Sequence, residues 1–530
     1  MSSGADERGR GTGRQRSAVV VGAGIGGLVA ALLLAAKGIK VVVVERSAVP
    51  GGKIRTVSVG GHGIDSGPTV FTMRPAFEAI FAAAGARLED HLRLTRADIL
   101  ARHSWEDGST FDLYADIDRS AEAVTEFAGA REAAGYRAFC KRTAEVFRSL
   151  DAPFMQNGAP SPLGLARQAG IGGLAALTRI RPFTALWTVA GSYFSDPRLQ
   201  QLFGRYATYC GSSPFAAPGP LMLIAHVEQM GVWLVEGGMT RIAEALEGLA
   251  KQHGARFRYG ESVAALDIRN GRVAGVRLGS GEVLSADTVL FNGDPAALAS
   301  GLFGEPARAA LPPWRAEDRS MSALTWSLRA KADGFPLSRH TVFFSDDYRR
   351  EFSDIFKDGR LPGSPTIYVC AEDRDASDGP PPEGEESLFV LVNAPARADS
   401  QPLGDREIAA CERQVTARLA RAGLTLTGAP EARVMTTPSD FAALYPATGG
   451  ALYGRASHGW AASFQRPGAR TRIKGLYLAG GGVHPGPGIP MAALSGSHAA
   501  SAILADMAST VSFHPAAMPG GMSMRSAMTD

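Results

Sequence analysis

Two short runs of aliphatic residues flank a segment with helical spacing near the start of the chain. Residues 18–21 (AVVV) and 41–44 (VVVV) have the composition of strands buried on both faces. Leucines repeat at helical spacing between them, and Gly38 supplies a helix stop. This pattern predicts a β-α-β unit and therefore an α/β fold with a parallel sheet.

The hydrophobic period changes further along the chain. From Phe257 to Asn292 it becomes two, and the pairs Asn270-Gly271 and Ser280-Gly281 separate short runs, which predicts an antiparallel meander. Two further buried strands are predicted at 288–292 (TVLFN) and 476–480 (LYLAG). Two further helices are predicted at 239–250 and from about Pro490 to Leu504.

These elements divide the chain into lobes. A chain of 530 residues is too long for one compact core. We assign 17–105, 232–300 and 470–508 to one discontinuous nucleotide-binding domain. Residues 106–231 and 301–469 are assigned to a second, inserted domain. Residues 1–16 are polar and rich in Gly and Arg, and 509–530 are rich in Met, Ser, Gly and Pro, so we expect a disordered arm and tail.

Composition excludes several classes of protein. The chain is 45% hydrophobic and 20% charged, as in ordinary globular proteins, and a net charge of +3 argues against nucleic-acid binding. Its four cysteines are scattered, so we expect neither a disulfide framework nor a metal site. The uncharged run 18–36 is long enough to span a bilayer, but glycines interrupt it, and we expect no transmembrane helix.

The turn between the first strand and the first helix carries a phosphate-binding pattern. Gly22, Gly24 and Gly27 satisfy GxGxxG. The first allows the tight turn, the second lets a pyrophosphate approach the backbone, and the third lets helix and strand pack closely. Glu45 ends the second strand, where a carboxylate accepts hydrogen bonds from ribose hydroxyls.

Two further motifs favour FAD over NAD. Gly51-Gly52-Lys53 and 65–70 (DSGPTV) follow Glu45, and 475–481 (GLYLAGG) returns near the chain end. A segment distant in sequence that returns to the nucleotide suits a long cofactor. No second GxGxxG occurs in a β-α-β setting, so we expect no separate NAD(P)H domain. The predicted helix from Pro490 directs its positive end at the flavin, where it stabilises the negative charge of the reduced form.

In these motifs the chain resembles the phytoene-desaturase-type carotenoid desaturases, a branch of the amine oxidase superfamily. The resemblance implies a Rossmann-type FAD domain with an inserted substrate domain. The segments that carry the resemblance are 19–38, 41–53, 65–73, 235–246 and 475–496. Four more, 203–215 (FGRYATYCGSSPF), 221–233 (LMLIAHVEQMGVW), 445–454 (YPATGGALYG) and 458–460 (HGW), resemble the 1-hydroxycarotenoid 3,4-desaturase branch.

The resemblance implies an FAD enzyme that removes two hydrogens at C3–C4 of acyclic 1-hydroxy or 1-methoxy carotenoids, for spheroidene- and spirilloxanthin-type pathways. The flavin N5 takes the hydride. The residues expected to hold FAD are Gly22, Gly24, Gly26, Gly27, Glu45, Gly51, Gly52, Lys53, Gly67, Pro68, Thr69, Val70, Val263, Gly480, Gly481, Pro490 and Met491.

The sequence shows no acid–base dyad. Arg142 and Glu145 are out of register with the family pattern and are interpreted as a solvated helix face. Tyr206, Tyr209 and His458 are polar-tipped aromatics that would line the tunnel or receive the C1 hydroxyl, although core packing is the more common role of such residues.

Three rival readings remain open: another carotenoid enzyme such as a phytoene desaturase, a flavin amine oxidase, and a lipid carrier that has lost its flavin. The electron acceptor is left as quinone or oxygen. Because carotenoids are insoluble in water, we expect a cytoplasmic protein peripherally bound to the inner or photosynthetic membrane. Between Asp151 and Asp196 the chain has no acidic residue and combines apolar side chains with Arg167, Arg179 and Arg181, which is typical of an interfacial segment. Packing in the core explains the same segment equally well.

Overall fold

The computed structural model describes residues 15–160, 181–377, 379–429 and 431–509. Its strands are β1 (Ser17–Val21), β2 (Lys40–Val44), β3 (Thr56–Val59), β4 (His62–Asp65), β5 (Leu94–Arg96), β6 (Ile99–Ser104), β7 (Thr110–Tyr114), β8 (Trp233–Val235), β9 (Arg256–Arg258), β10 (Val263–Arg269), β11 (Arg272–Leu278), β12 (Val283–Ser285), β13 (Thr288–Phe291), β14 (Ser322–Gly334), β15 (His340–Phe343), β16 (Ile367–Ala371), β17 (Glu386–Ala394), β18 (Leu424–Thr427), β19 (Arg433–Thr436) and β20 (Leu476–Leu478).

The α-helices are α1 (Ile25–Ala35), α2 (Arg74–Ala83), α3 (Ile117–Ala128), α4 (Ala130–Leu150), α5 (Leu186–Gly191), α6 (Pro197–Gly204), α7 (Leu223–Met230), α8 (Thr240–Gln252), α9 (Pro295–Ala299), α10 (Tyr348–Ser353), α11 (Asp405–Arg421), α12 (Pro438–Leu444) and α13 (Ile489–Ser509). Most of the expected arm and tail, and residues 161–180 of the predicted interfacial segment with Arg167 and Arg179, fall outside the described residues.

A parallel five-stranded sheet carries the predicted β-α-β unit. Its strand order is β20-β13-β1-β2-β9, and Val20 of β1 pairs with Val43 on one side and with Leu290 on the other. Every residue of β1 after Ala18 is aliphatic and buried, because helices cover one face of the sheet and the antiparallel strands β10, β11 and β12 cover the other. The GxGxxG turn therefore lies at the carboxyl end of an inner strand, between two neighbours that both contribute to the site.

The meander is shorter than its hydrophobic period indicated. β10, β11 and β12 form the antiparallel sheet, whereas residues 256–258 join the parallel sheet as its edge strand β9. Alternation does not separate the two cases, because an edge strand exposes one side and so carries a mixed pattern of its own.

A second sheet forms the wall of the other lobe. Its order is β18-β14-β17-β16-β15-β6-β7, with β19 paired to β14. β6 and β7 form a hairpin within it, so the predicted boundary at residue 105 falls inside the hairpin. β6 also pairs in parallel with β15, which lies more than two hundred residues away. The boundary falls there because the local hydrophobic period of β6 does not predict that partner.

Candidate active site

One large cavity of about 1060 Å³ extends from the glycine-rich turn to the second sheet. One end is lined by loops that follow β1, β2 and β20, and by the first turn of α13. The other end is lined by α7, by β15 and β16, and by the 3-10 turn Arg205–Cys210. Glycine backbone and apolar side chains thus face one continuous space.

The glycines of the turn have different roles. Gly22 has φ +99°, which a residue with a side chain rarely adopts. Gly22, Gly24 and Gly26 line the cavity, whereas Gly27 does not. A Cβ on Gly27 would lie 2.3 Å from the carbonyl oxygen of Gly22, so Gly27 serves the helix–strand packing that the motif implies, and the cofactor contact predicted for it stays a prediction.

Asn292 is a residue of this site that sequence reasoning missed. It follows β13 and its Nδ2 donates to the carbonyl oxygen of Ala479 at 3.0 Å. A Cβ on Gly24 would lie 2.8 Å from its Oδ1, so Gly24 is required by the adjacent strand as well as by a ligand. Only the strand order β20-β13-β1 brings these positions together.

Glu45 is held in place by backbone groups. Its Oε2 accepts the N–H of Ala23 at 2.7 Å and its Oε1 accepts the N–H of Ser47 at 2.8 Å. Each carboxylate oxygen has further lone pairs, and the side chain lines the cavity. The carboxylate is therefore fixed and can still accept a ribose hydroxyl.

The residues present fit a dinucleotide. α1 begins without a capping side chain and without an acidic residue in its first turn, which leaves its N–H groups for an anionic ligand. The remaining predicted contacts all line the cavity: Gly51, Gly52, Lys53, Gly67, Pro68, Thr69, Val70, Val263, Gly480, Gly481, Pro490 and Met491.

Two buried cations stand at the junction of the lobes. Burial lowers the pKa of Lys53, whose Nζ donates to the carbonyl oxygen of Leu452. Arg466, which the sequence did not reveal, donates from Nη1 to the carbonyl oxygens of Tyr453 at 3.0 Å and Gly481 at 3.2 Å. These bonds tie the segment after α12 to the loops after β2 and β20.

A polar cluster interrupts the apolar end of the cavity. Tyr206 and Tyr209 each donate a phenolic O–H to one oxygen of Glu228 at 2.6 Å. Burial raises the pKa of Glu228. Tyr209 and Glu228 line the cavity, whereas Tyr206 is buried behind them, so of the two predicted tyrosines only Tyr209 faces the space.

The cluster continues to the second sheet. The guanidinium of Arg205 lies 5.5 Å from the ring centroid of Tyr209 and 5.6 Å from that of Tyr368. The hydroxyl of Tyr368 forms hydrogen bonds with Thr69 Oγ1 at 2.6 Å and with His340 Nδ1 at 2.7 Å. Thr69 belongs to the loop predicted to hold the flavin, so the cluster adjoins that loop.

His458 does not belong to the cavity lining. Its Nε2 accepts the N–H of Ser213 at 3.0 Å, and its ring packs edge-on against Phe356 with centroids 4.6 Å apart. Burial lowers its pKa to about 4. The expectation that it lines the tunnel is wrong, because its ring nitrogen is used to hold a loop.

Three further expectations concern the pair Arg142 and Glu145, metal sites and transmembrane helices. Arg142 and Glu145 form an ion pair at 2.6 Å on α4, away from the cavity lining. Across residues 15–160, 181–377, 379–429 and 431–509 no group of three or more His, Cys, Asp or Glu side chains is arranged to hold a metal ion. Within the same ranges no helix combines the length and apolar character needed to cross a bilayer.

Comparison with known proteins identifies the family. Residues 25–504 match the model of the flavin containing amine oxidoreductases. Hydroxyneurosporene desaturase of Rubrivivax gelatinosus is 49% identical over 517 residues, which are 97% of this chain and 98% of that protein. The protein of the same name from Cereibacter sphaeroides is 46% identical over 93% of this chain and 98% of its own length. A 1-hydroxycarotenoid 3,4-desaturase from a Flavobacterium is 30% identical over 91% and 97%.

Solved structures agree on the fold. A putrescine oxidase mutant superposes with a TM-score of 0.57 at 15% identity, over 93% of this chain and 99% of that chain. This likeness confirms the predicted Rossmann-type fold of the amine oxidase superfamily, and the family match confirms the predicted cofactor, FAD. The chain belongs to the flavin containing amine oxidoreductases and, within them, to the carotenoid desaturases.

Proposed function

We propose that this protein desaturates acyclic 1-hydroxy or 1-methoxy carotenoids between C3 and C4. The observation that carries the proposal is the continuity of the cavity, which joins a dinucleotide cradle to an apolar space with one polar cluster. The names of the similar proteins, which refer to hydroxyneurosporene and to 1-hydroxycarotenoids, support the substrate class.

The walls of the cavity suit a long hydrocarbon. α7 presents Leu223, Ile224 and Val227 to the space, and Leu221 precedes them. Burial of a polyene against such side chains is favourable by about 25 cal/mol per Å² of apolar surface. The chain's own residues therefore bind and orient an apolar substrate and exclude water from it.

We assign the cofactor contacts to the glycine-rich turn, Glu45, the loops 51–53 and 67–70, Val263, and the segment from Gly480 to Met491. Gly22, Gly24 and Gly26 of the turn line the cavity, as do Glu45, both loops, Val263, residues 480–482 and residues 485–491. Bound FAD supplies the acceptor, at N5, for the hydride that leaves the substrate. The first turn of α13 contributes the positive end of a helix at this place. The neighbouring carbon loses its hydrogen as a proton, and a quinone or oxygen would accept the electrons from the reduced cofactor.

Two exposed aromatic rings support a peripheral membrane location. Phe183 is 78% exposed and Trp460 is 48% exposed, their centroids are 5.4 Å apart, and both line the cavity. They therefore lie where the cavity reaches the surface. An enzyme that collects an insoluble carotenoid needs such an opening at a bilayer, and we place it at the cytoplasmic face of the inner or photosynthetic membrane.

Turnover of paired substrates tests the proposal. The purified flavoprotein is incubated with liposomes that contain either 1-hydroxyneurosporene or phytoene, with a quinone as acceptor. We expect a red shift of the polyene spectrum with the first substrate, since desaturation at C3–C4 extends the conjugation, and much slower turnover of phytoene. Equal or faster turnover of phytoene would reject the substrate class and leave the family assignment intact.

A further inference from the structure

We propose that Arg205 recognises the oxygen atom on C1 of the substrate, because its guanidinium faces the apolar cavity without an ion pair among the described residues and is held between the rings of Tyr209 and Tyr368. This inference rests on the function proposed above. It assigns Arg205 as a specificity-determining residue.

A guanidinium in such a place needs an explanation. Arginine side chains are seldom withdrawn from water unless they are paired. In this protein buried or half-buried arginines are generally bonded, as Arg102 is to Asp112 and Arg374 to Glu386. Arg205 instead has two aromatic faces beside it, which fix its plane and leave donors for a ligand.

The nearest acidic group of the cluster is already occupied. Both oxygens of Glu228 accept a tyrosine O–H at 2.6 Å, from Tyr206 and from Tyr209. Glu228 therefore supplies a compensating charge at a distance rather than a direct partner. This arrangement keeps the charge of Arg205 in the wall, and its interaction with Tyr209 leaves the other N–H groups for a ligand.

The hydrogen-bonding chemistry of Arg205 matches the proposed substrate class. A guanidinium only donates hydrogen bonds. A hydroxyl oxygen and a methoxyl oxygen both accept them, whereas a hydrocarbon end group does neither. A site built this way takes both oxygenated ends and rejects the unsubstituted end, because that end leaves a dehydrated charge unpaired.

The position of Arg205 is also appropriate. The C1 oxygen lies only a few bonds from C3, so the group that binds it must lie beside the reacting carbons. Arg205 packs on Tyr368, whose hydroxyl is bonded to Thr69 at 2.6 Å in the loop assigned to the flavin. The same hydroxyl of Tyr368 also forms a hydrogen bond with His340 Nδ1 at 2.7 Å. Recognition of the oxygen at this place sets C3 and C4 close to the cofactor.

The test compares Arg205→Met with the wild type on three carotenoids: 1-hydroxyneurosporene, its 1-methoxy counterpart and unsubstituted neurosporene. For Arg205→Met we expect kcat/KM to fall about tenfold to a hundredfold on both oxygenated substrates, the usual worth of a hydrogen bond to a charged group. Turnover of neurosporene should stay the same or rise. Arg205→Lys, which keeps a charged donor, should retain part of the preference.

Matched controls separate recognition from folding. Arg269→Met makes the same change at an exposed arginine outside the cavity lining and should leave the substrate ratio unchanged. Flavin content per polypeptide reports folding, and Arg205→Gln replaces the Met variant if that one does not fold. The amount of each carotenoid that the protein extracts from liposomes, measured by chromatography, gives a binding readout independent of turnover.

Two results would overturn the inference and keep the proposed function: an Arg205→Met variant with the wild-type ratio of oxygenated to unsubstituted substrate, or one that loses all three substrates equally. A wild-type enzyme with no preference for oxygenated ends would instead reject the proposed substrate class, and the recognition role with it.

Discussion

At the scale of single residues, Asp65 and Glu372 place two carboxyl groups at one buried position. Asp65 ends β4, and its N–H donates to Glu372 Oε2 at 3.1 Å, while its own Oδ2 accepts the N–H of Met239 at 2.6 Å. Burial and the charge of Asp65 together raise the pKa of Glu372 to about 8. Burial also raises the pKa of Asp65. Glu372 therefore carries a proton at neutral pH.

Glu372 makes the stability of the protein dependent on pH. In the unfolded chain a glutamate titrates near pH 4.3, so between that pH and about 8 the folded protein holds a proton that the unfolded chain has lost, and the free energy of unfolding falls as pH rises. Glu372→Gln should abolish this loss, so its free energy of unfolding should exceed that of the wild type by about 5 kcal/mol at pH 9 and equal it at pH 4.

Urea unfolding of both proteins across this pH range measures the effect. Glu385→Gln, an exposed position nearby, is the matched control and should follow the wild type. If the free energies of unfolding of the wild type and of Glu372→Gln changed with pH in the same way, the expected titration of Glu372 would be contradicted.

Single residues of the site differ in how far the sequence reveals them. Glu45 and the glycines follow a strand and a turn that local pattern predicts, so their place is fixed by neighbours in the chain. Asn292, Arg205 and Arg466 act through partners far away in sequence, such as Ala479 and Gly481. Residue spacing near each position does not predict those partners. For the same reason the sequence did not predict that His458 binds the N–H of Ser213 instead of lining the cavity.

At the scale of elements, the approach of α1 to α13 is set by small residues. A Cβ on Gly496 would lie 2.3 Å from the carbonyl oxygen of Gly26, and one on Gly26 would lie 2.8 Å from the N of Gly480. α13 also brings Pro490 and Met491 to the cavity. The distance between these two helices therefore controls the shape of the flavin site.

Gly496→Ala should force the two helices apart. We expect a loss of about 2–3 kcal/mol of stability, typical of overpacking, together with lower flavin content. Gly248→Ala in α8 is the matched control, because a Cβ there meets nothing within 4 Å, and it should stabilise the protein by up to about 1 kcal/mol through helix propensity. Thermal unfolding and flavin absorbance measure both. If Gly496→Ala and Gly248→Ala changed the stability in the same direction, close packing at Gly496 would not be what separates the two positions.

Element types were easier to predict than their partners. The β1-α1-β2 unit, β13, β20 and α13 follow long, regular patterns. The short strand β9 and the hairpin β6–β7 depend on which sheet accepts them, and that choice is made by tertiary pairing with β2 and β15.

At the scale of the whole molecule, the cavity opening defines how the protein would meet a bilayer. Phe183→Ser combined with Trp460→Ser removes the two exposed rings at that opening. We expect binding to anionic liposomes to weaken at least tenfold, since each buried aromatic side chain contributes about 1.5–3 kcal/mol. Flavin content should not change. Val49→Ser, at another exposed apolar position, is the control. Unaltered sedimentation of the double variant with liposomes would remove these rings from the membrane contact.

The strand order of the nucleotide sheet has a consequence for biosynthesis. β1 emerges first from the ribosome, but its neighbour β13 follows more than two hundred residues later, and β20 and α13 come near the end. Domains whose segments are adjacent in the chain can fold during translation. This one has to wait for β20 and α13, so FAD is loaded only after those segments are made, and the nascent polypeptide exposes its apolar wall until then. Chaperone protection in that interval becomes part of producing the active enzyme.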